Sequence, residues 1–462
     1  MKNYSDQKII VIGAGRQGTA LSHYLAQKGA NVILTDNRAE DQLGDLTALH
    51  DAGVSFAFGG HDPALLDGAN LVCLSGGVSP NLPFVKEAIA HGIKLSNDSQ
   101  VLLENCPATV IGITGSAGKS TTTSLLGSMA RHYNEMKGNR FNVWVGGNIG
   151  NPLIGQVDAM DNEDLVILEL SSFQLELMTL SPQIAAVLNL TPNHLDRHAS
   201  MEAYRTAKGN ILIHQKKGDI AVLNRDDDGS WGMLDAIKGD LITFGFKKPP
   251  SHLNGTYIDR DRVCLQSGKD KIKMFPVEWV QLKGKHNLSN VLAAAALAAS
   301  ASLALPAIQT AVEEFIGVPH RLEFVREYKG AKWYNDSIAT APERTQAAID
   351  SFEEAIVLLL GGRDKNLPWE RLAEQVRQKV SRVVLFGEAA DLISDAIGPK
   401  KRGQNLQSVV KCETLQEAIK TAANQVVEGD VVLLSPGGTS FDAFKDFEER
   451  GECYRKWVNE LI

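Results

Sequence analysis

Short apolar strands alternate with helical stretches along this sequence, and glycine-rich or polar turns follow strand after strand. A phosphate-cradle pattern in mid-chain and a glycine fingerprint near the start complete the signature of an α/β protein. Three domains are predicted: a small Rossmann-like α/β unit over 1–105, a phosphate-loop unit over 106–314, and a doubly wound parallel sheet over 315–462. The 462 residues fit that division, at roughly 150 residues per domain.

Composition narrows the partners. Apolar residues make up 44% and charged residues 22%, with a net charge of −8. This is ordinary for a globular chain and argues against a nucleic-acid or anionic-membrane surface. The longest alanine-rich stretch, 291–299, is too short to span a bilayer, and no signal segment precedes the first strand, so a cytoplasmic protein is expected. The five cysteines are scattered and never spaced C-x-x-C, which points to a reducing compartment without a metal-binding cysteine set.

Taken in order, KIIVI at 8–12 leads into Gly13-Ala14-Gly15-Arg16-Gln17-Gly18, then a helix over 19–28 and a strand over 31–35 ending at Asp36. This spacing is a dinucleotide fingerprint, but the same geometry suits any nucleotide diphosphate, and a chain that already carries a phosphate loop favours a nucleotide-linked substrate there over NAD. A strand over 70–74 ends in Ser75-Gly76-Gly77, a second ligand-type turn. The central signal is VIGITGSAGKSTTTSLLGS at 110–128. A β-branched strand enters Gly115-Ser116-Ala117-Gly118, and Lys119, Ser120 and Thr121 open a helix. Backbone N–H groups, a helix N-terminus and a lysine cradle phosphates, and the hydroxyl after the lysine suits Mg²⁺. The pattern is shorter than GxxxxGK[ST], because Ile113 stands where the first glycine belongs. These residues predict nucleoside triphosphate binding.

Downstream, Gly146-Gly147-Asn148 forms a glycine-rich turn open to either a ligand or a purely structural role. Glu169 ends an apolar strand, the usual place for a Mg²⁺-binding carboxylate. The strand over 184–190 runs into the ionisable cluster TPNHLDRH, and a helix over 201–211 carries Tyr204 and Lys208 one turn apart. Nothing in the spacing singles out Lys208. Asn287 and Asn290 share a face at the start of an alanine-rich helix, as adenine readers or as caps. Past Pro319, His320 and Arg321 sit on a linker from which an arginine reaches phosphates. Strand ends then deliver Asp336-Ser337-Ile338-Ala339-Thr340, Gly361-Gly362-Arg363-Asp364-Lys365 and Ser435-Pro436-Gly437-Gly438-Thr439-Ser440-Phe441.

Ten motifs occur in sequence order: G-x-x-G-K-S-T, GGNIG, LELSSFQLE, TPNHLDRH, Y-x-x-A-K, G-x-H-N-x-x-N, PHR-x-E, NDS-x-A-T, LLLGG-x-D-K and LLSP-x-x-x-S-F-D-x-F-x-x-F-E-x-R-G. Together they resemble the Mur ligases of peptidoglycan synthesis over nearly the whole chain. The resemblance implies a UDP-binding Rossmann-like domain, a P-loop ATPase domain and a C-terminal Rossmann-like domain that brings the amino acid. It implies ATP-dependent ligation of D-glutamate to UDP-N-acetylmuramoyl-L-alanine through an acyl phosphate, in a cytoplasmic monomer. ATP and two Mg²⁺ ions are the implied cofactors, with neither nucleic acid nor membrane as partner.

The same resemblance assigns roles. Lys119, His194 and Lys208 become catalytic, with Ser120, Glu169, His194 and a carbamylated Lys208 around magnesium. Gly115, Ser116, Ala117, Gly118, Lys119, Ser120, Thr121, Asn287, His320, Arg321 and Asp336 become ATP contacts. Gly15, Arg16, Asp36, Arg38, Ser75, Gly76 and Asn148 hold the UDP substrate, which replaces NAD at the first fingerprint. Thr340, Lys365, Ser435 and Phe441 form the amino-acid pocket. Two departures fall in that last domain: the family's NDSKATN reads Asn335-Asp336-Ser337-Ile338-Ala339-Thr340-Ala341, and its SPACAS has Gly437-Gly438 at the centre. They leave open a sister ligase of other amino-acid preference, folylpolyglutamate synthetase included. A non-ligating P-loop NTPase is the rival from another class.

Overall fold

The computed structural model describes residues 2–148, 152–192, 197–198, 200–282, 284–365, 367–399 and 403–462. It divides into two compact units, Met1–Phe315 and Ile316–Ile462.

The first unit contains two sheets. The N-terminal sheet is parallel throughout, in the order Ser55–Phe58, Asn31–Asp36, Lys8–Ile12, Leu71–Leu74, Lys94–Ser96. Its topology reverses between Lys8–Ile12 and Leu71–Leu74, which is where an open α/β sheet opens a ligand crevice at the strand C-termini. Both glycine turns sit at that point. The helix begins at Arg16, three residues earlier than the sequence suggests, because extended Gly15 serves as its N-cap.

The middle sheet has nine strands. Val143–Gly147, Leu165–Glu169, Thr109–Thr114, Ile184–Val187, Ile220–Asn224, Asp240–Phe244 and Asn254–Asp259 run parallel, and Arg262–Ser267 and Asp270–Pro276 add an antiparallel edge. The helices Lys119–Met136, Lys285–Ser300 and Leu305–Glu314 cover one face, with the alanine run 293–296 fully buried. Small side chains there let helix backbone approach the sheet closely. One apolar cluster continues from Leu21, Leu25, Val101 and Leu102 to Leu153, Ile154, Val157 and Val166, so the N-terminal and middle sheets share a core.

The second unit has a six-stranded sheet in the order Glu323–Tyr328, Ala331–Asn335, Val431–Gly437, Ile356–Gly361, Val380–Phe386, Ser408–Lys411. It is parallel except at one edge, where Glu323–Tyr328 pairs antiparallel with Ala331–Asn335. The all-parallel expectation is corrected there. Lys329 and Gly330 both take positive φ, 51° and 71°, and close a two-residue hairpin.

Candidate active site

The phosphate loop leaves strand Thr109–Thr114 and enters helix Lys119–Met136 through Gly118, whose φ of 85° favours glycine. A Cβ on Gly118 would overlap the Asn290 Oδ1, so the alanine-rich helix abuts the loop. Asn290 in turn donates to Asn287 Oδ1 at 3.3 Å, which places both asparagines beside the loop's helix. Asn189 clamps the other side. Its carbonyl accepts from Ser116 N at 2.9 Å, its Oδ1 from Ala117 N at 2.9 Å, and its Nδ2 donates to Ala117 O at 3.0 Å. Lys119 Nζ donates to Gly115 O at 3.0 Å, and Thr121 lies on the first helical turn.

Glu169, 2% exposed, ends the neighbouring strand. Its Oε2 accepts from Ser120 Oγ at 2.7 Å and its Oε1 from Asn148 Nδ2 at 3.0 Å. Asn148 is fixed in turn by its N–H to Glu169 O, 2.8 Å. Helix Met201–Ile213 inserts Lys208, 1% exposed, beneath the loop. Its Nζ donates to Thr114 Oγ1 and Gly115 O, both at 3.0 Å, and stands 4.9 Å over the Tyr204 ring. Burial, and then the Lys119 charge, push the Lys208 pKa well down against the pull of Glu169, which favours the neutral amine. Tyr204 Oη lies 3.1 Å from Ser116 Oγ. His194 lies outside the described residues.

The donor set suits magnesium. Ser120 and Glu169 offer oxygens at the end of a phosphate loop. Mg²⁺ characteristically takes one or two protein oxygens and completes its shell with phosphates and water.

At the N-terminal switch point, Asp36 accepts from Ala14 N at 2.8 Å and from Arg38 N, Nε and Nη2 at 2.9, 3.0 and 2.9 Å. The Arg38 guanidinium holds this carboxyl far below the usual range. Asp36 thus spans the glycine turn carrying Gly15 and Arg16 to Arg38. Ser75 Oγ donates to Gly13 O at 2.8 Å, and Gly76 N to Gln17 Oε1 at 3.2 Å, tying the two turns together. Arg197 lies 4.2 Å over the Phe173 ring and donates to Gly77 O, at 3.2 Å, and to Val78 O. Gln17, Asn189 and Arg197 escaped the sequence reading. Each stood in or beside a segment the sequence singles out — the glycine fingerprint, the end of an apolar strand and the TPNHLDRH cluster — but no spacing marked the individual residue.

In the second unit, Asp336 Oδ2 accepts from Ser435 Oγ at 2.8 Å and Oδ1 from Leu322 N at 3.2 Å. Burial pushes its pKa up to about 7. His320 is 5% exposed, with φ 61°, and its Nδ1 lies 3.0 Å from Asn335 Nδ2. A Cβ on Gly451 would overlap its ring, so His320 anchors the start of this unit to helix Phe447–Asn459. Arg321 follows it in the same turn, its N–H on Val318 O at 3.2 Å. Thr340, whose N–H reaches Ile338 O at 2.9 Å, lies in the turn after Ala331–Asn335, and Lys365 lies in the turn after Ile356–Gly361. Ser435 is fully buried within Val431–Gly437, whereas Phe441 beyond it is 61% exposed. The structure brings Asp336 and Ser435 into direct contact, and keeps Asn287 in the first unit.

A strand, a phosphate loop, a lysine at the helix start and a buried carboxylate bonded to the following serine make up the site of a nucleoside-triphosphate-binding α/β protein. Three family models match in order: "Mur ligase MurD-like, N-terminal domain" over 7–97, "Mur ligase middle domain" over 113–298 and "Mur ligase, glutamate ligase domain" over 320–438. The chain belongs to the Mur ligase family. It is 38% identical over 457 residues to the UDP-N-acetylmuramoylalanine--D-glutamate ligase of Symbiobacterium thermophilum, covering 98% of each chain. It is 35% identical to the protein of that name from Ruminiclostridium cellulolyticum, covering 100% of this chain and 98% of the relative. Among solved structures, the UDP-N-acetylmuramate-alanine ligase of Thermotoga maritima matches at TM-score 0.55 and 20% identity, covering 98% of this chain and 99% of that one. This last likeness concerns the fold.

Proposed function

We propose that this chain joins D-glutamate to the alanyl carboxylate of UDP-N-acetylmuramoyl-L-alanine at the expense of ATP, in peptidoglycan precursor synthesis. The observation that carries the reading is the arrangement of Lys119, Ser120, Glu169 and Lys208 around one phosphate loop, in a chain collinear with relatives of that name.

A carboxylate is a poor acyl donor. In the first step its oxygen attacks the γ-phosphorus of ATP and ADP leaves, giving an acyl phosphate. The glutamate amine then attacks the acyl carbon, phosphate departs with the carboxylate oxygen, and the nitrogen loses a proton. Such transfer depends mainly on positioning and charge neutralisation. Lys119 and the N-terminus of its helix neutralise the β- and γ-phosphates. Ser120 and Glu169 would hold a magnesium ion that adds charge neutralisation at those oxygens. The neutral amine that burial favours at Lys208 is the form that adds to CO₂ and releases a proton to give a carbamate, which would put an anion in place of the amine to support a second ion with His194. Asp36, Arg38, Ser75 and Gly76 hold the UDP end, and Asn148 the muramoyl-alanine arm. Lys365, Thr340, Ser435 and Phe441 take the incoming glutamate. Among the described residues no helix is long and apolar enough to cross a membrane.

Phosphate release with ATP, Mg²⁺ and UDP-N-acetylmuramoyl-L-alanine tests this reading, with D-glutamate, L-glutamate or no amino acid added. Release that requires D-glutamate, and that is lost in Lys119→Ala by at least about 10³-fold, supports it. A requirement for L-glutamate transfers the reading to the sister-ligase alternative. Release without any amino acid contradicts ligation.

A further inference from the structure

The crevice of the N-terminal sheet has a direction. A nucleotide there seats its diphosphate on the glycine turn and helix N-terminus, and its ribose on the acidic residue that ends the neighbouring strand. Here the glycine turn follows Lys8–Ile12, Asp36 ends Asn31–Asp36, and the next strand outward is Ser55–Phe58. A nucleotide laid across these three strand ends therefore brings its base to the turn after Ser55–Phe58, which holds Gly59, Gly60 and His61. That turn is bonded to the corner carrying Asp36 and Arg38. Gly60 N donates to Asp36 O at 3.2 Å, and Gly59 N to Arg38 O at 3.0 Å.

His61 brings the only polar side chain of this turn. It is half-buried, with its ring centroid 5.6 Å from that of Phe84 and its Nδ1 2.9 Å from Thr35 Oγ1. Thr35 is fully buried, and its carbonyl accepts from Gly13 N at 2.8 Å, so it also touches the glycine turn. Its hydroxyl has one proton and also lies 3.1 Å from Gly60 O, an atom that can only accept. Both contacts are hydrogen bonds only when Thr35 donates to Gly60 O and accepts from His61 Nδ1–H. This network assigns the tautomer: the proton sits on Nδ1, and Nε2 keeps its lone pair. Burial lowers the His61 pKa against the pull of Asp36, which favours the neutral ring. Nε2 has no hydrogen-bond partner among the described residues and is not enclosed.

A fixed acceptor at the base end distinguishes pyrimidines. Uracil presents an N3–H donor between two carbonyl oxygens. Cytosine presents a bare N3 lone pair in the same place. An acceptor held by the protein bonds the first and opposes the second, and a site built around one hydrogen bond rejects the analogue that lacks it.

We propose that His61 is a specificity-determining residue for the nucleotide-linked substrate, its Nε2 accepting from the uracil N3–H while Thr35 fixes the tautomer that makes Nε2 an acceptor. This rests on the ligase reading above, which makes that substrate a uridine derivative. The plainer alternative is that His61 only pins its turn to Thr35 and Phe84. His61→Phe separates the two, since it keeps a ring against Phe84 and loses the acceptor.

The test measures kcat/KM for UDP-N-acetylmuramoyl-L-alanine and for its cytidine counterpart in the wild type, His61→Phe and Thr35→Val. The proposal expects the preference for uridine over cytidine to fall at least about tenfold in His61→Phe, through loss on the uridine substrate alone. Thr35→Val leaves Nε2 in place but frees the tautomer, so the preference falls part of the way; this variant carries the test if His61→Phe does not fold. Imidazole ¹⁵N shifts of the wild type should show the proton on Nδ1. A wild type indifferent to the base, an unchanged preference in the variants, a parallel fall on both substrates, or a proton on Nε2 overturns the proposal. Dissociation constants of UDP and CDP need no turnover and keep the two readings apart. A wild type that ligates nothing yet prefers UDP through His61 overturns the ligase reading alone; an active wild type whose preference survives in His61→Phe overturns this inference alone.

Discussion

Lys208 shows how one side chain reaches a place that its sequence neighbourhood hides. It reaches a loop nearly a hundred positions earlier in the chain, donating to Thr114 and Gly115 from full burial. A neutral amine is what that environment favours, and a carbamate is the modification open to it. Lys208→Ala should therefore lose ligation by at least about 10²-fold and regain part of it when acetate or another short carboxylate supplies the missing anion; full activity without addition would remove the carbamate role. Asn189 acts more simply, by clasping Ala117 through two side-chain bonds, one from its N–H and one to its carbonyl. Asn189→Ala should raise KM for ATP about tenfold, which corresponds to about 1.4 kcal/mol, with KM for the UDP substrate unchanged. Equal rises in both constants would mean general loosening instead. Lys119, Ser120 and the loop glycines were legible because they are contiguous. Asn189, Gln17 and Arg197 were not, because their partners are set by the order of strands in a sheet rather than by spacing along the chain.

Among the elements, the short helix Asp98–Asn105 carries an unusual load where the N-terminal and middle sheets share their core. Asn97 caps it and donates to Gln174 O at 2.7 Å, and Gln174 Nε2 donates to Ser99 Oγ at 2.9 Å. Asp98 is buried beside them, its Oδ1 without a hydrogen-bond partner among the described residues. Burial raises its pKa to about 6. A carboxyl whose folded pKa exceeds its unfolded value of about 4 stabilises the fold at low pH, and that contribution is lost as pH rises through 6. Asp98→Asn should thus stabilise the protein at pH 8, by up to about 2 kcal/mol, and change little at pH 4, as read by denaturant unfolding. Equal effects at both pH values would refute the ionisation argument. Element types and most strand positions were legible from apolar runs between glycine turns. The strand Glu323–Tyr328 was not, because its alternation is masked by charge and its partner is reached through a Lys-Gly turn that reads as surface loop.

At the scale of the whole molecule, the first unit joins the N-terminal glycine turns and the phosphate loop through a common core, and the second is a compact α/β unit with a six-stranded sheet of its own. Division into three α/β parts was legible because the first two each open on a strand and a glycine-rich turn, and the third shows strands that end in polar clusters after a Pro-containing linker. Fusion of two of them into one body was not, since it depends on side chains such as Leu153 and Val157 meeting Leu21 and Leu25 across long sequence separations. The central claim is that the phosphate loop activates a carboxylate by phosphorylating it. It is tested most directly by placing ¹⁸O in the alanyl carboxylate of UDP-N-acetylmuramoyl-L-alanine and analysing the inorganic phosphate released during ligation. An acyl phosphate route transfers one labelled oxygen from each fully labelled carboxylate to phosphate; phosphate free of label would contradict it.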